Sequence, residues 1–108
     1  MTAYRIVRRR RAEQDVDEAL AFYLAEANGE VALGFIEALE QCYRRIGESP
    51  AAGSNRYAHE LDLPGLRSRA LKGYPYFVFY VQRPDHIDVW RVLHAASDIP
   101  TWISDEEL

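Results

Sequence analysis

Residues 74–82 contain a run of apolar and aromatic side chains that leaves no polar face if the segment is a β-strand. One face carries Phe77, Phe79 and Val81, and the other carries Tyr76, Val78 and Tyr80. A strand with two apolar faces is typical of the middle of a sheet that is covered on both sides. The rest of the chain therefore has to supply two covering layers for this segment.

Two amphipathic helices precede this strand and can supply one layer. A strand is predicted at residues 4–9, and apolar stripes with the helical period follow over residues 12–27 and 32–46. Gly29 lies between the stripes, and we expect it to end the first helix in a left-handed conformation. The short connection predicts an antiparallel helical hairpin, which can cover one face of a sheet.

Three strands joined by short turns are predicted after a loop at residues 49–65. They occupy residues 66–71, 74–82 and 87–94. Short turns connect antiparallel neighbours, so these strands are predicted to form a meander. Residues 1–108 then form a single α+β domain, in which a twisted antiparallel sheet with an N-terminal strand carries the hairpin on one face (β-α-α-β-β-β).

The second face of the sheet has several possible covers. Ile99, Trp102 and Ile103 near the C-terminus could cover it, as could a second chain or a ligand. If a second chain is the cover, we expect the face that contains Tyr80 to stay open for a helix or strand of that partner protein. The sequence leaves these three possibilities open.

Composition excludes several function classes. The 108 residues carry a net charge of -4, which does not favour polyanion binding by the domain as a whole. Cys42 is the only cysteine, which excludes an intramolecular disulfide and a cysteine-based zinc site, and the histidines lack metal-ligand spacing. No apolar stretch approaches the roughly 20 residues that cross a membrane, and no secretory signal is recognisable. We therefore expect a cytoplasmic protein without a metal or another cofactor.

Three motifs follow one another in the second half of the sequence: P-x-L-R, Y-x-x-x-Y and R-V-L-H-x-x-x-D. The positions that carry them are Pro64, Leu66, Arg67, Tyr76, Tyr80, Arg91, Val92, Leu93, His94 and Asp98. In this order they resemble the ParE family of the ParE/RelE toxin superfamily. The first half of the chain fits the same family at Ala12, Asp15, Phe22, Tyr23, Ala32, Phe35, Ser49, Pro50 and Gly53.

The resemblance implies the toxin of a type II toxin–antitoxin pair. Such a toxin blocks DNA gyrase on cleaved DNA, and a ParD-like antitoxin neutralises it in a hetero-oligomeric complex. This activity is inhibition by binding, so the resemblance does not imply an enzyme. Ser97 departs from the family pattern, in which a basic residue often precedes the last Asp. The departure favours a second interpretation, a degenerate and non-toxic antitoxin-binding domain.

The RelE branch of the superfamily suggests a third interpretation, a ribosome-dependent mRNA endonuclease. A ribonuclease without a metal needs cations beside the phosphate and aromatic side chains that stack on bases. The candidate cations and aromatic residues in the predicted meander are Arg67, Arg69, Lys72, Arg91, Tyr76 and Tyr80.

His94 and Asp98 have two interpretations. They could form a general acid–base pair, because histidine titrates near neutral pH and a carboxylate can fix its tautomer. They could equally form a structural hydrogen bond at the end of the last strand. Cys42 has no neighbouring signature of an activated thiol.

The residues predicted to contact an antitoxin lie on the strands and in the arginine run that starts the chain. They are Tyr76, Val78, Tyr80, Trp90, Arg8 and Arg9. The acidic residues Asp105, Glu106 and Glu107 at the C-terminus could instead fold back on the arginine run.

Overall fold

A computed structural model describes residues 3–104 of the chain. The elements, in chain order, are β1 (Arg5–Arg8), α1 (Arg10–Glu26), α2 (Gly29–Glu48), a 3-10 turn (Pro50–Ala52), α3 (Arg56–Leu61), β2 (Leu66–Ala70), β3 (Tyr76–Gln82), β4 (His86–His94) and α4 (Ile99–Ser104). The α+β class and the order of the predicted elements are confirmed. The short helices α3 and α4 were not predicted as complete elements.

The four strands form one sheet in the order β1-β4-β3-β2. The pairs β2–β3 and β3–β4 are antiparallel, as the short turns between them predict. β1, however, pairs with β4 in parallel, with Arg5 opposite His86. The prediction of an antiparallel sheet is wrong for this one pair, because no short turn joins β1 to β4 and turn geometry does not set its direction.

The connection between α1 and α2 differs from its prediction. Asn28 caps α2, since its side-chain oxygen accepts a hydrogen bond of 2.9 Å from the backbone N–H of Val31. Gly29 is the first residue of α2, and the only glycines with positive φ among the described residues are Gly65 and Gly73. The expected left-handed conformation at Gly29 is therefore wrong, and a polar cap begins the second helix instead.

The hairpin covers the face of β3 that the sequence analysis expected to stay open. Val78 and Tyr80 are fully buried in a core with Phe35, Leu39 and other residues of α1 and α2. Tyr76 is half-buried at the rim of this core, with its ring centroid 5.2 Å from that of Phe35. The expectation of an open face at these residues is therefore wrong, because two equally apolar faces do not reveal which one the hairpin covers.

The opposite face of the sheet is covered by the chain's own C-terminal half. Phe79 and Val81 of β3 are buried in a second core that contains Ile99 and Ile103 of α4. Residues of α3 pack against its edge, including Tyr57, whose ring lies 5.5 Å from that of Phe79. Coverage by the tail, one of the three possibilities left open above, is the one that the structure shows.

The buried hydroxyl of Tyr80 provides a test of this packing. It donates a hydrogen bond of 2.6 Å to the backbone carbonyl of Pro50. We expect Tyr80→Phe to lower the free energy of unfolding by about 1–2 kcal/mol, because the carbonyl loses its donor while the ring stays in place. Urea denaturation measures the change. Tyr57→Phe is the control, since no hydrogen bond of its hydroxyl occurs within residues 3–104, and equal losses in both variants would contradict the assignment.

Candidate functional site

Asp15 of α1 closes the outer edge of β4 beyond the point where β1 ends. The last residue of β1, Arg8, lies opposite Val89, so the following part of β4 has no strand neighbour on that side. The Asp15 carboxylate accepts a hydrogen bond of 3.0 Å from the backbone N–H of Val92 and two of 2.7 Å from the Arg91 guanidinium. The carboxylate therefore substitutes for a neighbouring strand and neutralises a buried arginine.

A β-bulge in β4 directs Arg91 toward this contact. Phe79 lies opposite Arg91 while Tyr80 lies opposite Val89, so Trp90 has no partner across the ladder. A bulge of this kind bends the strand and changes the direction of nearby side chains. The side chain of Arg91 is only 3% exposed, and its guanidinium lies 5.1 Å from the ring centroid of Trp102 in α4. Arg91, a predicted functional cation, thus joins α1, β4 and α4.

An open cleft of about 570 Å³ lies beside this junction, between α1, the end of β4 and α4. We call it the α1–β4 cleft. Its walls include the exposed aromatic side chains of Phe22 and Trp102, which are 55% and 41% exposed. His94, Tyr76 and the charged residue Arg11 also line it. The cleft therefore combines large apolar surfaces with polar and charged groups, as protein-binding sites do.

His94 and Asp98 do not act as a pair in this arrangement. The Nδ1 atom of His94 accepts a hydrogen bond of 2.9 Å from the backbone N–H of Ala96, and its ring lies 5.1 Å from that of Tyr76. The Asp98 carboxylate accepts a hydrogen bond of 2.8 Å from the hydroxyl of Thr101 at the start of α4. Each side chain stabilises a separate local turn, so the predicted hydrogen bond between His94 and Asp98 is wrong as well.

Arg67 lies far from Arg91 in the architecture of the sheet. It is opposite Tyr80 on the face that the hairpin covers, whereas Arg91 is opposite Phe79 on the other face. The Arg67 guanidinium donates a hydrogen bond of 2.8 Å to the backbone carbonyl of Gly53. The two motif arginines are therefore not brought together at one site.

Arg9 and Trp90, two of the predicted antitoxin contacts, belong to an internal cluster around Asp88. The Asp88 carboxylate accepts hydrogen bonds of 3.0 Å from two nitrogen atoms of Arg9 and one of 3.2 Å from the Trp90 indole. The Arg9 guanidinium also lies 4.6 Å from a ring centroid of Trp90. Burial favours a higher pKa of Asp88, but hydrogen bonds from Arg9 and Arg83 outweigh it and lower the pKa below its usual value.

Arg8 is the exposed member of the predicted antitoxin contacts. Its Nε atom lies 3.8 Å from the carboxylate of Glu13, and its guanidinium lies 5.9 Å from the ring centroid of Tyr43. The acidic residues expected to fold back on this region, Asp105 to Glu107, lie outside the described residues.

Two exposed aromatic walls of the cleft, Phe22 and Trp102, have no site role among the predictions from sequence. Phe22 falls outside the apolar stripe of α1 that includes Ala19 and Tyr23. An aromatic residue outside such a stripe is expected on the outer side of the helix. Trp102 was expected to cover the sheet, but Ile99 and Ile103 do so and leave its ring on the outside.

Residues 6–99 match the family model described as ParE toxin of type II toxin-antitoxin system, parDE. The chain belongs to this family. A similar solved structure is the chromosomal ParDE TA system from P. aeruginosa, with a TM-score of 0.71 and 18% identity over 85% of this chain and 96% of that chain. At that identity the likeness shows a shared fold. No curated protein matches the sequence.

No helix within residues 3–104 is long and apolar enough to cross a membrane. The described part of the chain also has no group of three or more His, Cys, Asp or Glu side chains that could hold a metal ion.

The buried ion pair beside the cleft leads to a stability prediction. We expect Asp15→Ala to lower the free energy of unfolding by about 3–5 kcal/mol, because it leaves the buried Arg91 charge and the Val92 N–H without this carboxylate. Replacing both charged residues by leucine should cost less than Asp15→Ala alone. Asp17→Ala, at an exposed carboxylate of the same helix, is the control, and an equal loss there would contradict the assignment. Thermal and urea denaturation measure these changes.

Proposed function

We propose that this ParE-family toxin inhibits DNA gyrase and is neutralised by a ParD-like antitoxin. The observation that carries the proposal is the family match over residues 6–99. The similar fold of a protein from a ParDE system supports the antitoxin partner. Inhibition by this route is an effect of binding: the toxin stabilises one state of gyrase on cleaved DNA through its differential affinity for that state.

The α1–β4 cleft is the surface that we assign to the antitoxin. Exposed aromatic side chains beside arginine are the residues that most often dominate binding energy at protein interfaces. Phe22, Trp102 and Arg11 present this combination around an open cleft of about 570 Å³. Of the strand residues predicted to bind the antitoxin, Tyr76 lines the cleft, whereas Val78 and Tyr80 lie under the hairpin.

The placement of Arg67 and Arg91 argues against their joint use in the endonuclease interpretation. Phosphodiester cleavage without a metal needs cations concentrated beside one phosphate. Arg91 is paired with Asp15 inside the protein, and Arg67 lies on the opposite face of the sheet. These two residues therefore do not supply a common phosphate site.

A supercoiling assay with purified gyrase tests the gyrase proposal. We expect the toxin to reduce supercoiling and to increase linear DNA after the protein is removed, because the trapped state contains cleaved DNA. Added antitoxin should reverse both effects. DNA with the toxin but without gyrase is the control for contaminating nuclease. Unchanged supercoiling at micromolar toxin would contradict the proposal, and toxin-dependent mRNA cuts in a translating extract would favour the endonuclease instead.

Two substitutions on α1 test the docking surface for the antitoxin. We expect Phe22→Asp to weaken antitoxin binding at least tenfold, or about 1.4 kcal/mol, because it places a charge in the apolar wall of the cleft. Leu24→Asp is the matched control, since Leu24 is 60% exposed on the same helix but does not line the cleft. Calorimetric titration measures both affinities. An equal effect of the two variants, or no effect of Phe22→Asp, would show that the antitoxin docks elsewhere.

A further inference from the structure

Three cationic side chains from different parts of the chain meet at a small pocket between α2 and β2. Arg45 comes from the last turn of α2, Arg69 from β2 and Lys72 from the turn that follows β2. The pocket has a volume of about 210 Å³, and no carboxylate is among its lining residues. We call it the α2–β2 pocket. Its charge contrasts with the net charge of -4 of the whole chain.

None of these three cations forms an ion pair within residues 3–104. The ion pairs of the described chain involve Arg5, Arg8, Arg9, Arg56, Arg83, His86 and Arg91. Glu37 and Glu40 line a neighbouring groove that shares Lys72 with the pocket, but they do not line the pocket itself. No carboxylate therefore lines the pocket itself or forms an ion pair with its cations within residues 3–104.

The buried thiol of Cys42 adds no compensating negative charge. Cys42 lines the pocket, and its Sγ atom lies 3.9 Å from the backbone carbonyl oxygen of Arg69. Burial raises the pKa of this thiol to about 11, although Arg69 and Arg45 act to lower it. The thiol stays protonated at neutral pH, so the three cations face a neutral wall.

The fold explains the place of each cation but not their convergence. A positive charge in the last turn of α2 is favourable for the helix dipole, which accounts for Arg45. Arg69 alternates with the buried residue Ser68 and therefore points to the face covered by α2. Arg45 and Lys72 are exposed and Arg69 is half-buried, so water screens their mutual repulsion, and an anion bound between them would reduce it further.

We propose that the α2–β2 pocket binds a phosphate group of a nucleic-acid backbone. A forked guanidinium group, as on Arg45 and Arg69, suits the oxygen atoms of a phosphate, and Lys72 supplies a third cationic donor among the lining residues. A carboxylate, with two oxygens in one plane, matches three converging cations less well. β2 is an edge strand of the sheet, so a long polymer can reach the pocket from outside. That this polymer is the DNA held by gyrase rests on the function proposed above.

Fluorescence polarisation of a short, labelled DNA duplex, measured at increasing salt concentration, tests DNA binding by the pocket in the absence of gyrase. We expect the double variant Arg69→Gln/Lys72→Gln to bind DNA at least tenfold more weakly than the unsubstituted toxin. The slope of log affinity against log salt should fall by about 1 for each lost phosphate contact. Arg5→Gln/Arg56→Gln is the matched control, because it removes two exposed arginine charges outside the pocket. Circular dichroism confirms that all variants are folded.

Two results would overturn the proposal: no DNA binding by the unsubstituted toxin, or equal losses in the two double variants. The gyrase assay is run on the same variants and keeps the two proposals separate. A toxin that inhibits gyrase without binding DNA at this pocket would overturn the pocket assignment alone. A toxin that binds DNA through the pocket but leaves supercoiling unchanged would overturn the gyrase proposal alone.

Discussion

Burial of both faces of β3 is the constraint on which the rest of this structure depends. The strand lies between β2 and β4, and its side chains enter two separate hydrophobic cores. The α1–α2 hairpin forms one covering layer, and α3 with α4 forms the other. Because α4 is a short helix at the end of the described chain, its position depends on the packing of Ile99 and Ile103 and on the contact between Arg91 and Trp102.

The Asp15 contact connects this packing to the candidate site. β1 is too short to cover the whole outer edge of β4, and a buried strand edge without partners for its backbone groups is costly. The carboxylate satisfies the Val92 N–H and neutralises Arg91 in one place. It thereby fixes α1 against β4 beside the cleft that Phe22 and Trp102 line.

Periodicity and turn residues predicted the element order, because hydrophobic period and short turns are local properties. Two kinds of structural feature could not be predicted, because they do not depend on local sequence. The direction of β1 and the bulge at Trp90 depend on pairing between distant segments, and the identity of the covered face depends on which of two apolar faces meets the hairpin. For the same reason the motif residues were recognisable while their roles were not: Arg91 has an internal partner, Asp15, that lies 76 residues away in the sequence.

The two proposed binding surfaces lie at opposite edges of the sheet. The α1–β4 cleft borders the β4 side, the α2–β2 pocket borders β2, and β3 lies between these strands. An antitoxin bound in the cleft would therefore leave the cationic pocket accessible to a phosphate. If both assignments hold, neutralisation acts by blocking the contact with gyrase, not by removing the affinity for nucleic acid. In the proposed complex, this acidic protein would approach DNA through a local group of cations.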